Sequence, residues 1–171
     1  GKGGSASKRY APASELWKQD EKGWWCQLSD GSFPRGTWRM LDWNGTRGWY
    51  FFDEEGYMKT GWLISGGKWY YLGEAPDGTR GVMKTGWHLE PKDGFWYYLS
   101  PSDGSMLTGW QELDGRLYYL NTTTPFKTWE QTANGEWRYL NIPGSHPVGS
   151  LYRSDTTPDG HRVDENGARI D

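Results

Sequence analysis

The segment Gly81-Val82-Met83-Lys84-Thr85-Gly86-Trp87 decides the fold of this chain, because its pattern recurs twice more in the same register. The pattern is Gly-X-Met-X-Thr-Gly-Trp, and the other copies occupy 56–62 and 104–110. Successive copies begin 25 and 23 residues apart. A period of about 20–50 residues is typical of proteins built from stacked repeats, in which each unit buries its apolar face against its neighbours. The chain is therefore predicted to be a repeat protein.

A run of aromatic residues follows each copy of the pattern, and such residues favour a half-buried β-strand. Five runs share one order: Trp49-Tyr50-Phe51-Phe52, Trp69-Tyr70-Tyr71-Leu72, Trp96-Tyr97-Tyr98-Leu99, Leu117-Tyr118-Tyr119-Leu120 and Trp137-Arg138-Tyr139-Leu140. Before each run stands a glycine-bearing turn signal of the kind that closes β-hairpins. These signals are Asn44-Gly45, Gly66-Gly67, Asp93-Gly94, Asp114-Gly115 and Asn134-Gly135. Each unit is therefore predicted to be a β-hairpin whose first strand begins at the Trp of Thr-Gly-Trp.

Aromatic residues must form the core of such a chain. The 171 residues include 13 Trp, 11 Tyr and 5 Phe, whereas Leu, Ile and Val are few. Each aromatic side chain buries a large area, so rings can replace the missing aliphatic core. An isolated hairpin is only marginally stable in water, which means that neighbouring hairpins must stack. We expect an all-β fold made of hairpin repeats.

Degenerate copies extend the repeats toward both ends. On the N-terminal side, Phe33 takes the Met position and Gly36-Thr37-Trp38 follows it. On the C-terminal side, Phe126 takes the Met position, and the last stretch has turn signals but no Trp. Terminal repeats are usually atypical. The predicted organisation is a linker or cloning remnant at 1–15, about six tandem aromatic hairpins at 16–148 and a capping hairpin at 149–171.

Charge and cysteine content argue against several classes of function. The net charge is -3 and Lys and Arg are scattered, so we expect no nucleic-acid partner. No long apolar run is present, so membrane insertion is not expected. Cys26 is the only cysteine, which leaves no internal disulfide and no metal-ligand spacing. His88, His146 and His161 lie in unrelated contexts without a catalytic motif, so we expect no catalytic residue, no metal and no cofactor.

Taken together, these motifs resemble the cell-wall-binding repeats of choline-binding modules, which occur in Gram-positive surface proteins, autolysins and phage lysins. The resemblance rests on Thr-Gly-Trp, the hairpin, Trp-Tyr-Tyr-Leu and Gly-X-Met, and it covers about residues 16–171. It implies a left-handed β-solenoid of hairpins with a ligand site at each junction between consecutive repeats. It also implies a non-catalytic, extracellular module that is bound to the bacterial cell wall and belongs to a secreted protein or phage lysin.

The ligand that the resemblance implies is choline on a teichoic-acid-type polymer, and in relatives choline can drive formation of a homodimer. A quaternary ammonium has no N–H to donate and spreads its charge under methyl groups, so ring faces hold it through cation–π attraction. Each ring contributes roughly 0.5–2 kcal/mol, so a site of three rings is expected to bind in the millimolar range. Several sites on one array raise the apparent affinity through avidity.

Carried over by position, each site combines the Trp of Thr-Gly-Trp, the leading Trp of the same hairpin, the leading aromatic residue of the next hairpin and a Met. The first predicted choline site consists of Trp62, Trp69, Trp96 and Met83. The second consists of Trp38, Trp49, Trp69 and Met58. The candidates at later junctions are Trp87, Met106, Trp110 and Trp137.

Leu117 is expected to weaken those later junctions, because it stands where a ring is needed: Trp87 and Trp96 would lack a third ring, and Trp110 would face Leu117 and Trp137. The middle residues of the runs, Tyr70, Tyr97 and Tyr118, are interpreted as packing between hairpins. The Met residues are either walls of the sites or filler between hairpins.

The residues alone leave other functions open. The same Trp faces could stack on sugar rings, which would make the chain a glucan-binding or wall-glycan-binding module. The array could also be a structural or protein-binding scaffold. An enzyme is the weakest alternative, because acidic groups such as Asp53-Glu54-Glu55 lie in predicted turns, where solvated charge is the ordinary explanation.

Overall fold

The computed structural model describes residues 16–43, 45–122, 127–131, 133–135, 137–141 and 147–171, with the backbone alone for 127–131 and 137–141. The predicted linker at 1–15 lies outside the described residues. So do Asn44 of the first turn signal, Phe126 and His146.

Every regular element in the described part of the chain is a β-strand. The strands are β1 Leu16–Asp20, β2 Gly23–Gln27, β3 Thr37–Trp43, β4 Thr46–Phe52, β5 Gly61–Ser65, β6 Lys68–Leu72, β7 Gly86–Leu89, β8 Trp96–Leu99, β9 Gly109–Leu113, β10 Arg116–Leu120, β11 Lys127–Gln131, β12 Trp137–Asn141, β13 Asp155–Thr156 and β14 Arg162–Val163. Each odd-numbered strand forms a two-stranded sheet with the even-numbered strand that follows it. The predicted all-β fold of hairpin repeats is confirmed.

Two compact units make up the described chain. The first contains the residues up to Leu63 together with Tyr71–Met83, and the second contains Ile64–Tyr70 together with Lys84–Asp171.

The register of the hairpins places the Trp of each repeat opposite the third residue of the aromatic run. Trp87 pairs with Tyr98, and their rings meet edge to face with centroids 4.9 Å apart. The same contact recurs at 5.2 Å, 5.1 Å and 5.2 Å in the pairs Trp38–Phe51, Trp62–Tyr71 and Trp110–Tyr119. Edge-to-face packing is a favourable geometry for two rings, so this pair stabilises each of these four hairpins.

The two glycines of the pattern are needed for their backbone conformation. The glycine of Thr-Gly-Trp has φ of 81°, 79° and 77° at Gly61, Gly86 and Gly109. Positive φ is disfavoured for residues that carry a β-carbon, so Gly is the natural occupant of this position. At the first glycine of the pattern, space is limiting as well: a β-carbon at Gly81 would overlap the Met58 side chain of the preceding loop.

The Met of Gly-X-Met ties its loop, by a backbone hydrogen bond, to the hairpin one repeat earlier than the hairpin that the loop follows. The Met83 N–H donates to the carbonyl oxygen of Trp49 at 2.9 Å, and the Met58 N–H donates to that of Trp24 at 2.7 Å. In the second unit the Met106 N–H donates to Trp69 at 2.8 Å. In each case the acceptor is the leading residue of an aromatic run, so one hydrogen bond fixes the register between a loop and the hairpin of the repeat before its own.

This series continues through two loops that the sequence pattern did not reveal. The Leu151 N–H donates to the Trp96 carbonyl at 2.8 Å, and the Arg169 N–H donates to the Leu117 carbonyl at 2.9 Å. Gly149-Ser150-Leu151 and Gly167-Ala168-Arg169 are therefore equivalents of Gly-X-Met. The backbone of Leu120 bridges to that of Leu151. Since Leu151 closes the repeat that contains β9 and β10, the hairpin β11–β12 is an insertion within that repeat.

Alternation along each aromatic run gives the hairpins two different faces. In β8, Tyr97 and Leu99 are fully buried on one face, whereas Trp96 and Tyr98 are only half-buried on the other. In β4, Tyr50 and Phe52 are likewise fully buried. Successive side chains of a strand point to opposite sides, so the face of a residue follows from its odd or even place in the run.

We expect Leu99→Ala to lower the free energy of unfolding by about 2–5 kcal/mol, because it deletes a core side chain that is 0% exposed. The matched control is Leu89→Ala in the paired strand, where the side chain is 47% exposed and the loss should stay near or below about 0.5 kcal/mol. Urea denaturation, monitored by Trp fluorescence, measures the free energy of unfolding of both variants. Equal losses in the two variants would contradict the assignment of the buried face.

Candidate functional site

A pocket of about 290 Å³ opens in the second unit between the hairpins β7–β8 and β9–β10 and the loop at 149–153. The rings of Trp87, Trp96 and Tyr118 line it, and Leu151 adds an aliphatic wall. We call these four residues the second-unit cage. Its volume is close to the lower end of the range of about 300–1,000 Å³ that is usual for ligand pockets, so a small ligand group suits it.

The rings of the cage meet edge to face. The centroids of Trp87 and Trp96 are 6.3 Å apart with an angle of 87° between the planes. Trp87 and Tyr118 are 5.2 Å apart at 73°. Planes near right angles form a corner, and aromatic rings around such a corner suit a cation, which ring faces attract.

Each wall of the cage has a definite origin in the repeat. Trp87 opens β7 after the left-handed Gly86, and Trp96 is the leading residue of β8. Tyr118 is the second residue of the next aromatic run, and the hydrogen bond from Leu151 to the Trp96 carbonyl brings Leu151 to the site. One hairpin therefore supplies two rings, the next hairpin supplies the third and the following loop supplies the aliphatic wall.

The expectation that Leu117 leaves Trp87 and Trp96 without a third ring is wrong. Tyr118 provides that ring: it lines the pocket, and it also packs against Trp87 of the preceding hairpin, in line with its interpretation as packing between hairpins. The physical reason is strand alternation: neighbouring residues of a strand face opposite sides, so the leading residue of a run and the second residue cannot both face the preceding hairpin. Tyr97, by contrast, is fully buried and donates its hydroxyl to Asp93 at 2.7 Å, as packing requires.

Polar groups stand at the rim of the same pocket. Arg153 and Asn166 line it together with the aromatic residues. The Arg153 Nε donates to the carbonyl oxygen of Glu165 at 2.8 Å, which fixes the guanidinium plane. The site thus combines a box of rings with a positively charged group at one side. The position of Arg153 in the loop after Leu151 gave no signal at the level of the repeat pattern.

The predicted site residues of the first unit lie in the expected repeat positions. Trp38 packs against Phe51, and Trp49 is 41% exposed two residues earlier in the same run. Because residues two apart share a face, Trp38 and Trp49 lie on one side of the hairpin. The Met83 N–H reaches the Trp49 carbonyl, whereas Met58 reaches Trp24. The backbone hydrogen bond therefore links Trp49 to Met83. The predicted second site, which combines Trp49 with Met58, stays a prediction.

The other predicted residues fall into three groups. Trp62 belongs to the first unit, where its ring contacts Tyr71 at 5.1 Å. Trp69 belongs to the second unit, where its carbonyl accepts from Met106. Trp137 begins β12, and its side chain lies outside the described residues. The ligand contacts predicted for these residues, and the grouping of Trp62, Trp69, Trp96 and Met83, stay predictions.

The ring of Trp110, in the last aromatic cluster of the second unit, is contacted by other side chains of the protein. The Trp110 Nε1 donates to Asp159 at 2.8 Å, and the His161 ring lies 5.7 Å from the Trp110 ring. The Arg169 guanidinium stands 5.7 Å from the Trp110 centroid, within cation–π distance. Hydrogen bonds from Thr157 and Trp110 lower the pKa of Asp159, so its carboxylate stays charged beside the indole N–H.

Two other kinds of site find no support within the described ranges. No group of three or more His, Cys, Asp or Glu residues there could hold a metal ion. In the same residues no helix has the length and apolar character to cross a membrane.

Comparison with known proteins supports the repeat pattern described above. Residues 43–76 match the family model of the choline-binding repeat. The chain carries choline-binding repeats. No curated protein sequence matches the chain.

Three solved structures from Streptococcus pneumoniae resemble the chain. Choline binding protein F, in the presence of a peptidoglycan analogue, is 36% identical with a TM-score of 0.52, and the match covers 91% of this chain and 46% of that protein. CbpJ is 35% identical with a TM-score of 0.52, and the match covers 90% of this chain and 47% of CbpJ. The modular autolysin LytC, at 21% identity and a TM-score of 0.56, covering 91% of this chain and 28% of that one, is similar in fold. The chain spans less than half the length of each of these proteins.

The choline-binding repeat matched at 43–76 runs from the end of β3 to the loop after β6 and includes Trp49, Trp62 and Trp69. The second-unit cage lies outside that range but is built from the same pattern, with Thr-Gly-Trp at Trp87 and a leading Trp at Trp96. The choline-binding repeats therefore extend beyond the segment that the family model matches.

Proposed function

We propose that the chain is a non-catalytic, extracellular wall-binding module that recognises choline on teichoic-acid-type polymers. The observation that carries the proposal is the second-unit cage, in which three aromatic rings and one aliphatic side chain line a small open pocket. A trimethylammonium group fits such a corner because it needs ring faces and apolar contact and has no hydrogen bond to donate. The similarity to choline-binding proteins of a Gram-positive coccus supports the ligand and the location at the cell wall.

Repetition accounts for useful affinity in this proposal. Three rings at roughly 0.5–2 kcal/mol each give a single-site affinity in the millimolar range. A wall polymer displays its ligand many times, so several weak sites on one chain gain avidity of about 10²–10⁴-fold. The proposed sites in the remaining junctions, including that of Trp38 with Trp49, would supply this multivalency. Ligand-induced pairing of two chains would multiply it again.

The charge at the rim distinguishes the form of choline that suits the second-unit cage. Arg153 would repel a bare quaternary ammonium, whereas it can donate to the phosphate of a choline phosphodiester. The hydrogen bond from the Arg153 Nε to the Glu165 carbonyl oxygen orients the rest of the guanidinium. A ligand with a cation among the rings and an anion beside Arg153 matches the site at both ends.

Trp96→Ala should weaken choline binding at the second-unit cage by about 2- to 30-fold, because it removes one cation–π face. Indole N–H signals in NMR spectra of ¹⁵N-Trp-labelled protein report the site directly, through Trp87. Leu117→Ala is the matched control, since Leu117 is exposed and points away from the pocket, and it should bind like the wild type. Sodium chloride at equal ionic strength corrects for salt. An unchanged Trp87 response in Trp96→Ala, or a response of the wild type to glucans and none to choline, would contradict the proposal.

Arg153→Gln should weaken phosphocholine by about 2- to 5-fold, the scale of an exposed ion pair, and should leave choline binding equal or slightly stronger. Competition of the two ligands at Trp87 and Trp96 measures the ratio. Arg116→Gln, which removes the same charge from the neighbouring strand β10, serves as the control. If the two ligands weaken together in Arg153→Gln, Arg153 has no role in phosphate recognition.

A further inference from the structure

A second complete cage lies in the first unit, at the junction of the hairpins β1–β2 and β3–β4. Trp17 pairs with Cys26 across β1–β2, in the register that Trp87 and Tyr98 have in β7–β8. Trp24 leads the run Trp24-Trp25-Cys26 as Trp96 leads its own run, and its carbonyl accepts from the Met58 N–H as that of Trp96 accepts from Leu151. Trp17 and Trp24 are thus the repeat Trp and the leading Trp of the first hairpin.

The third ring of this junction comes from the same position as in the second unit. Tyr50 is the second residue of the run in β4, as Tyr118 is in β10. Its ring lies 5.1 Å from Trp17 at 60°, and the corresponding pair in the second unit lies 5.2 Å apart at 73°. The four residues of the second-unit cage therefore have equivalents at the same repeat positions in the first unit: Trp17, Trp24, Tyr50 and Met58. We call them the first-unit cage.

The side chain of Trp43 fills the interior of the first-unit cage. Its ring stacks on that of Trp17 with centroids 4.7 Å apart and planes only 17° apart. It also lies 4.8 Å from Trp24 and 6.4 Å from Tyr50. A ring within 6.4 Å of all three walls stands where the second-unit cage has its pocket. Trp43 and Met58 both pack against the buried cluster that includes Tyr50.

An unusually long hairpin puts Trp43 there. The strands β3 and β4 have seven residues each, whereas β7 has four and β9 has five. The extra length adds the pairs of Asp42 with Arg47 and of Trp43 with Thr46 beyond the usual turn position. The Trp17 Nε1 then donates to the Asp42 carbonyl at 2.8 Å, which fastens the extension to the first hairpin.

We propose that the first-unit cage is a closed site for a quaternary ammonium, in which Trp43 takes the place of the ligand. The proposal rests on the proposed function, since it assumes that cages of this composition bind such cations. An indole stacked on Trp17 offers the same apolar contact as a trimethylammonium group and is held at high local concentration by the hairpin. Choline at ordinary concentrations does not displace it, and removal of the Trp43 side chain opens the site.

The test compares the wild type with Trp43→Thr, because Thr suits a strand position and leaves the space of the indole empty. ¹⁵N-Trp-labelled full chain is titrated with choline until the Trp87 and Trp96 signals are saturated. In the wild type, Trp17 and Trp24 should not respond. In Trp43→Thr both should shift saturably, and equilibrium dialysis should find one more choline per chain. Arg39→Thr, an exposed change in the same strand, should behave like the wild type.

Each outcome bears on the closed site separately from the function as a whole. A saturable response of Trp17 and Trp24 in the wild type would overturn the closure. A Trp43→Thr protein that keeps a dispersed spectrum and gains no response at Trp17 and Trp24 would overturn the latent site. If Trp43→Thr loses the fold of the first hairpin, Trp43→Leu keeps apolar bulk and must show the same new response, weakened. If the indole signals of Trp87 and Trp96 do not respond to choline, the result would instead count against choline recognition by the second-unit cage.

Discussion

The hydrogen bond from the third residue of each Gly-X-Met loop to the carbonyl of a leading aromatic residue is the contact on which the repeats depend. It joins Met58 to Trp24 and Met83 to Trp49 in the first unit, and Met106 to Trp69 and Leu151 to Trp96 in the second. A two-stranded hairpin cannot bury its own rings. This contact fixes which loop covers which hairpin, and the distances between the rings follow from it.

Strand alternation then divides the aromatic residues between packing and recognition. The repeat Trp and the leading Trp share one face of a hairpin, and the second residue of the run lies on the opposite face. A junction therefore receives two rings from one hairpin and one from the next. Trp87, Trp96 and Tyr118 show the arrangement with an open pocket, and Trp17, Trp24 and Tyr50 show it with Trp43 inside.

Both open and occupied corners use the same chemistry. Trp43 fills one corner with an aromatic ring, and Arg169 places a guanidinium over Trp110 in another. A ring face attracts either another aromatic ring or a cation. In a chain rich in Trp, the corners between rings are therefore filled by side chains of the protein or left open for a ligand. In this chain the choice depends on local details, such as the length of β3–β4 and the Arg in the last loop.

Much of this could be predicted from the sequence, and the limits have physical causes. The seven-residue pattern predicted the hairpins and the all-β fold, because glycine conformation and aromatic strand preference are local properties. The third ring was assigned to the wrong residue, since Leu117 and Tyr118 differ by one position and alternation sends them to opposite faces. The loops at Leu151 and Arg169 were missed because neither carries Met. Trp43 and Arg153 act through contacts that no repeat pattern encodes. The boundaries at 16–148 and 149–171 remain predictions.

A crystal structure of the chain grown with choline tests the central claim most directly, because it shows which side chains form the box. We predict a quaternary nitrogen within about 6 Å of the ring centroids of Trp87, Trp96 and Tyr118 and in contact with Leu151, with Trp43 unmoved between Trp17 and Trp24. Choline on the Leu117 side of β10, or a second-unit cage left empty while choline occupies other surfaces, would contradict the account.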